Sequence, residues 1–300
     1  MKTLGIVLAG GTSSRLFPTT LSVTKQLLPI YDKPLIYYPL STLMLAGIKD
    51  ILIITSNSEA DIFKRLFRDQ NLGVNLEFAV QSKPAGIAQA FQIAQFHYGH
   101  KMQNYDRTCL VLGDNFFYGA GFTGMLQAAN TASDSAVVFA VPTREPQRFG
   151  VVEILDQEID GMHIATGIEE KPKKPKSNLA VTGLYFYPND VYKHVENLKP
   201  SARGELEITD VNRIYLNKNK LRVIVSRRGM TWFDTGTPDS LLEAAHFVQT
   251  LQKQQNVLIG SPHEVSYSNG WLNKEELLQS IALFEKTGYG EYLKELADHV

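Results

Sequence analysis

Leu4-Gly5-Ile6-Val7-Leu8-Ala9-Gly10-Gly11-Thr12-Ser13-Ser14-Arg15-Leu16 is the stretch that decides the fold. Leu4 to Ala9 is a continuous apolar run containing β-branched residues, as expected of a strand covered on both faces. Gly10 and Gly11 then allow a tight turn and close backbone approach, so that successive amides can cradle an anion. Arg15 adds a fixed fork of donors suited to phosphate. No Gly-Lys-Ser/Thr follows, which excludes a Walker loop, and the G-x-G-x-x-G spacing of a dinucleotide fold is also missing. The competing reading of this loop alone is a strand-to-helix turn with a surface arginine.

Outward from this unit, strand-like and helix-like segments alternate. Strands are expected at Ile51 to Thr55, Val74 to Val80, Thr108 to Leu112 and Ser135 to Val141. Between them lie helical patterns at Leu35 to Ala46 (stopped by Gly47), Glu59 to Arg68 (capped by Ser58), Ile87 to Phe96 and Gly124 to Asn130. Such alternation implies a Rossmann-like α/β fold whose central mixed sheet is mainly parallel and flanked by helices. Ligands in such sheets sit beyond the carboxyl ends of the strands, so the loops after Ala9, Val80, Leu112 and Val141 carry the interest. After Gly150 strands dominate, at Val151 to Leu155, Ile164 to Ile168, Val181 to Tyr187 and Leu221 to Val225, with one helix at Glu205 to Leu216. From Pro238 onward Ser240 to Gln255, Lys274 to Lys286 and Glu291 to Ala297 read as helices. The expected organisation is a domain over 1–237, with one part to about 145 and a second, strand-rich part from about 146, then a C-terminal helical region over 238–300.

Composition narrows the partners. Hydrophobic residues make up 44% and charged residues 20%, an ordinary globular balance, and the formal net charge is −1. Nothing global draws such a chain to nucleic acid or to an anionic membrane. Cys109 is the single cysteine, which excludes an intrachain disulfide and a thiolate zinc site and fits a cytoplasmic protein. It lies in an apolar run and reads as core filler. His97 and His100 are three apart, but Gly99 between them favours a helix end over a metal pair.

Several further motifs carry a resemblance. They are Lys25-Gln26-Leu27-Leu28-Pro29, Tyr31-Asp32-Lys33-Pro34-Leu35-Ile36-Tyr37-Tyr38-Pro39-Leu40, Leu112-Gly113-Asp114-Asn115 and Gly150-Val151-Val152-Glu153. Glu169-Glu170-Lys171-Pro172, Val181-Thr182-Gly183, Gly204-Glu205-Leu206-Glu207-Ile208-Thr209-Asp210 and Trp232-Phe233-Asp234-Thr235-Gly236-Thr237 complete the set. With the glycine loop, they make the chain resemble the glucose-1-phosphate thymidylyltransferase family of sugar nucleotidyltransferases, in order across most of its length. The resemblance implies transfer of deoxythymidylate from dTTP to α-D-glucose 1-phosphate, as an early step toward dTDP-rhamnose-type sugars. It further implies a homotetramer with feedback by dTDP-rhamnose.

The same resemblance assigns residues. Asp114 and Asp234 are expected to hold Mg²⁺, which prefers one or two carboxylates plus phosphate oxygens; either alone would read as a turn-capping aspartate. Arg15 and Lys25 are assigned to the triphosphate and departing pyrophosphate, and Lys171 to the sugar phosphate. Leu8, Gly10, Gly11, Gln81 and Gly86 are assigned to the nucleotide; a glutamine amide offers a donor and an acceptor, as the thymine edge does. Gly150, Glu170 and Val181 form the sugar pocket, and Arg203 contacts product phosphate. Where the family more often carries glycine, tyrosine and aspartate, this chain has Ser13, Phe149 and Ala85. A Ser13 at positive φ would be strained. The alternatives are a UTP-dependent uridylyltransferase, a nucleotide-sugar-binding regulator without turnover and, third, a nicotinamide oxidoreductase.

Overall fold

Alternate residues of the first apolar run enter opposite layers. Leu4, Ile6 and Leu8 join one buried cluster, and Val7 and Ala9 join another. The run is therefore a central strand. The computed structural model describes residues 1–11 and 13–299; Thr12 of the glycine loop lies outside the described residues.

The strands are β1 (Thr3–Leu8), β2 (Pro29–Ile30), β3 (Lys33–Pro34), β4 (Asp50–Ser56), β5 (Asn75–Gln81), β6 (Arg107–Leu112) and β7 (Asn115–Tyr118). They continue as β8 (Ala136–Pro142), β9 (Gly150–Ile159), β10 (Met162–Glu170), β11 (Leu179–Pro188), β12 (Leu221–Val225) and β13 (Thr231–Asp234). Helices α1 (Tyr37–Leu45), α2 (Ala60–Phe67), α3 (Gln89–Tyr98), α4 (Phe122–Thr131), α5 (Val191–Glu196) and α6 (Ile208–Asn217) are interleaved. A tail of α7 (Pro238–Gln255), α8 (Pro262–Ser268), α9 (Lys274–Ser280) and α10 (Gly288–His299) follows.

Among the described residues, nine strands form one mixed sheet in the order β5-β4-β1-β6-β11-β8-β12-β10-β9. β1 is parallel to β4 and β6, β4 to β5, and β12 to β8; β11 and β10 run against their neighbours. The chain leaves β1 toward β4 on one side and later returns to pair β6 on the other. The carboxyl end of β1 is thus a switch point, where a crevice opens. One layer packs Leu52, Phe91, Leu110, Val138 and Tyr187 under α3, α5 and α6. The opposite layer packs Ile53, Phe63, Val111, Leu126 and Phe186 under α1, α2 and α4. Cys109 is buried there among apolar side chains, and burial raises its thiol well above the ordinary range.

Several local expectations change. Ser58 does not cap α2: the N-cap is Glu59, without a side-chain cap bond, and Ser58 Oγ pairs with Ser56 Oγ at 3.1 Å. The helix expected from Glu205 begins at Ile208, because Glu205 and Leu206 run beside 85–88, where Leu206 N–H donates to Ala85 O at 2.7 Å. His97 Nε2 lies 2.7 Å from Glu77 Oε2, joining α3 to β5. Helix α8, an added strand pair between β7 and β13, and short α5 were not anticipated.

The Tyr31–Leu40 motif holds the C-terminal tail in place. Lys33 Nζ meets Asp32 Oδ1 at 2.5 Å and Gln252 Oε1 of α7 at 3.1 Å, and Gln252 Nε2 donates to Asp32 Oδ2 at 2.9 Å. Close by, Tyr292 of α10 donates to Glu264 of α8 at 3.1 Å. Burial raises Glu264 to about 7, against the opposing effects of the Tyr292 bond and the Lys33 charge. Its unfolded value is near 4.5, so the stability contributed by protonated Glu264 is complete below that pH and is lost as pH rises through about 7. Neighbouring His263 is held down to about 4 by burial and shifts stability in the acid range, equally in parent and variant. Glu264→Gln is therefore expected to be near neutral at pH 4.5 and to stabilise by roughly 2–3 kcal/mol at pH 8. Thermal unfolding of the two proteins across that range checks it; a constant difference with pH would contradict the assignment.

Candidate active site

The glycine loop at the end of β1 passes into a single 3-10 turn, Ser14–Leu16, whose first flanking residue Ser13 is left-handed (φ 47°, ψ 27°). A non-glycine residue there costs about 1–2 kcal/mol, so the departure at Ser13 is a strained one. Arg15, on that turn, is exposed and lines the same cleft as Gly236. Lys25, on the 3-10 turn Lys25–Leu27, is buried and its Nζ is bonded to Asp114 Oδ2. Leu8, Gly10, Gly11, Arg15, Lys25, Asp114 and Gly236 line one cleft of about 270 Å³.

Asp114 lies just past β6, and the ribbon of β7 and β13 brings Asp234 next to it. Asp234 pairs with Asn115, and Thr235 donates from its N–H (3.2 Å) and its hydroxyl (2.8 Å) to Asp114 O. Asn115 locks the junction. Its Oδ1 accepts from Trp232 Nε1 at 2.6 Å and from Gly183 N–H at 3.0 Å, while its Nδ2 donates to Asp114 Oδ1 at 2.9 Å. Arg15 closes the other side: a Cβ on Gly236 would stand 3.3 Å from Asp234 Oδ1 and 3.4 Å from Arg15 Nη2. Glycine at 236 keeps that space clear for both charged groups.

The two carboxylates are driven apart electrostatically. Burial by itself would raise Asp114, but the Lys25 charge and hydrogen bonds from Lys25 and Asn115 outweigh it and hold the carboxyl below its ordinary value. Asp234 is raised, first by burial and then by the Asp114 charge, with Lys25, Arg15 and Arg148 only partly compensating. Two neighbouring half-buried carboxylates, one of them poorly compensated, are a donor set that fits a hard divalent cation. Among the described residues no cluster of three or more His, Cys, Asp or Glu forms a more closed metal cage.

Gln81, at the end of β5, is buried beside Gly10; any Cβ on Gly10 would overlap its Oε1. Gly86, at φ 104°, touches the Leu206 backbone so closely that no side chain fits. Gly150, Glu170 and Val181 are also brought together. A Cβ on Gly150 would lie 3.3 Å from Glu170 Oε2 and 3.8 Å from Val181 Cβ. Thr209 donates to Glu170 Oε2 at 2.5 Å, a contact the sequence reading passed over. Lys171 sits at the β10 end at φ 45°, with its N–H on Phe149 O and its half-exposed Nζ 3.7 Å from Glu170 Oε1. Arg203 is not a free fork: it embraces Glu207 through Nε and Nη2 (2.8–3.1 Å) and reaches Glu170 and Glu205 at 3.4 Å. The phenol of Tyr185 is raised by burial and then by the charges of Glu170 and Asp114. Phe149 packs edge-on against Trp232, with ring centroids 5.1 Å apart.

Comparison with known proteins bears on this arrangement. The family described as Nucleotidyl transferase matches residues 4–250. A glucose-1-phosphate thymidylyltransferase of Neisseria meningitidis is 51% identical over 97% of this chain and 98% of its own length. One from Mycobacterium tuberculosis is 50% identical over 98% and 99%. The chain belongs to the glucose-1-phosphate thymidylyltransferase family. A solved chain from Bacillus anthracis assigned to the same family, in complex with a sucrose, superposes with TM-score 0.71 at 37% identity, covering 82% of this chain and 94% of that one. A UDP-glucose pyrophosphorylase complexed with UDP-glucose aligns at TM-score 0.69 and 21% identity, which speaks to the nucleotidyltransferase fold alone. No helix among the described residues is long and apolar enough to cross a membrane.

Within this family framework Asn115 is a structural hub, holding the Asp234 ribbon to the sheet. Asn115→Ala strands the buried Gly183 N–H and the indole N–H, and is expected to destabilise by about 2–4 kcal/mol. Urea unfolding of the variant checks this. A loss under about 0.5 kcal/mol would mean that neither donor depends on Asn115.

Proposed function

We propose that the chain transfers deoxythymidylate from dTTP to α-D-glucose 1-phosphate, giving dTDP-glucose and pyrophosphate. The observation that carries this reading is the convergence of Arg15, Lys25 and Asp114 on one cleft, with Asp234 brought alongside Asp114 by a separate ribbon. The attacking phosphate oxygen is already an anion and needs no general base. It forms a bond to the α-phosphorus as the bond from that phosphorus to the bridging oxygen breaks, and pyrophosphate leaves with the electron pair. The barrier is the approach of several negative charges, so positioning and electrostatics carry the catalysis.

In this reading the Gly10 and Gly11 backbone accommodates the triphosphate, and Arg15 and Lys25 neutralise it and the departing pyrophosphate. Asp114 and Asp234 would hold Mg²⁺, which when bound supplies charge neutralisation at the phosphates. Gln81 reads the base with Leu8 beneath it, and Gly86 keeps the 85–88 segment close against Leu206. Glu170, aimed by Thr209, takes sugar hydroxyls in a pocket completed by Gly150 and Val181, and Lys171 meets the sugar phosphate. Arg203 serves a product phosphate by exchanging Glu207 for it.

The test is Mg²⁺-dependent pyrophosphate release with dTTP, UTP, ATP, CTP and GTP against a panel of sugar 1-phosphates. The pair dTTP and glucose 1-phosphate is expected to turn over fastest, and Lys25→Met to lower kcat by about 10²–10³-fold. Turnover by none of the combinations would end the enzymatic reading, and a preference for UTP would move only the base assignment. For the sugar side, Thr209→Val is expected to raise KM for glucose 1-phosphate roughly fivefold while leaving KM for dTTP in place. An equal rise in both constants would place Thr209 outside the sugar pocket.

A further inference from the structure

We propose that Gln89 is a positioning residue that sets which way the Gln81 amide faces, and thereby selects a base whose ring nitrogen carries a proton beside a carbonyl. The inference rests on the reading of Gln81 as the residue that meets the base. It starts from a group of unambiguous polarity. The backbone N–H of Ala85 lies 2.9 Å from Gln89 Oε1, and a backbone N–H can only donate. The oxygen of the Gln89 amide must therefore face it. That same oxygen is 2.7 Å from Gln81 Nε2, so the atom Gln81 turns toward it must be its amine. Reversing the Gln81 amide would set two acceptors against each other.

Three further features hold the arrangement. Gln81 is only 5% exposed, so water cannot readily replace the lost bond. Its Oε1 is packed over Gly10, in the space a side chain there would need. Gln89 is the first residue of α3, and its own N–H faces Gly86 O at 3.3 Å. The polarity thus passes in a fixed sense from a backbone donor through Gln89 to Gln81. It leaves Gln81 with one acceptor oxygen and one remaining N–H in known positions.

Thymine and uracil present a ring N–H flanked by carbonyls, whereas cytosine presents a bare ring nitrogen beside an amino group. For a base held in one pose, the amide orientation that suits the first pair opposes the third. A fixed amide therefore discriminates thymine and uracil from cytosine, and does so without touching the 5-methyl group. The same logic gives the departure at Ala85 little consequence here, since the backbone of that residue and not its side chain begins the relay.

The experiment measures kcat/KM for dTTP and dCTP with glucose 1-phosphate, in the full chain with Mg²⁺. The proteins are the parent, Gln89→Met, Gln89→Glu, Gln81→Met and the Gln81→Met/Gln89→Met double variant. Gln89→Met removes the oxygen at similar volume and is expected to lower the dTTP-to-dCTP ratio about tenfold, the worth of one hydrogen bond whose loss frees the amide. Gln89→Glu keeps an acceptor for both donors, so the ratio should survive even if its charge slows both triphosphates alike. Adding Gln89→Met to Gln81→Met should change the ratio no further. A ratio that collapses in Gln81→Met but holds in Gln89→Met overturns the inference and leaves Gln81 as base reader. A ratio unmoved by either variant overturns both. If neither triphosphate turns over, the affinity ratio of dTDP to dCDP by calorimetry carries the same expectations.

Discussion

Two carboxylates that repel each other, Asp114 and Asp234, are held side by side in a largely buried setting, and the rest of the site is arranged around that tension. They respond in opposite directions. Asp114 is held down because the Lys25 ammonium and two hydrogen bonds outweigh its burial, whereas Asp234 is pushed up by burial and by Asp114 itself. An arrangement with one strongly compensated and one poorly compensated acid has capacity for a further positive charge. The protein's own cations do not fill it, since Lys25 is already bonded to Asp114 and Arg15 and Arg148 compensate Asp234 only in part.

That tension explains the architecture near it. Like charges this close drift apart unless the backbone beneath them is over-determined: Asp234 ends a paired strand, and Asp114 sits in the two-residue turn that joins β6 to β7. The β7–β13 ribbon is welded to β11 through one side chain, Asn115, which satisfies donors from Trp232 and from Gly183 while bonding Asp114. A second restraint comes from Thr235, which bonds the Asp114 carbonyl twice. The switch point between β1 and β6 supplies the opening, and Gly10, Gly11 and Arg15 line it.

The parts of this legible in the sequence are those written in local pattern. Continuous apolar runs at Leu4 to Ala9 and Ile51 to Thr55 can only be central strands of a doubly covered sheet, and both are. Arg15, Lys25 and Asp114 fall in motifs beside strand ends and do share a cleft. The β7–β13 ribbon escaped because its two halves are short and more than a hundred residues apart, so neither has a period to read. Helix α8, seven residues long, escaped for want of two turns of periodicity. Thr209 and Gln89 look like ordinary polar residues near a helix start. Their importance arises only when folding sets them against Glu170 and Gln81.

On the proposed base assignment, the surroundings of Gln81 absorb a local departure. Replacing a polar side chain at position 85 by alanine removes one possible contact, yet the peptide N–H there persists whatever the side chain and still orients Gln89. Recognition built on backbone polarity is therefore less exposed to substitution than recognition built on side chains. It also has a defined reach. An oriented amide sorts bases by where their protons lie, so thymine and uracil are alike to it. Any preference between those two must come from contact with a single methyl group, which a pocket can turn into only about 1–3 kcal/mol. On the proposed assignment the amide sets the class of base, and the choice within that class falls to the fit around Leu8 and Ile87, which line the cleft wall.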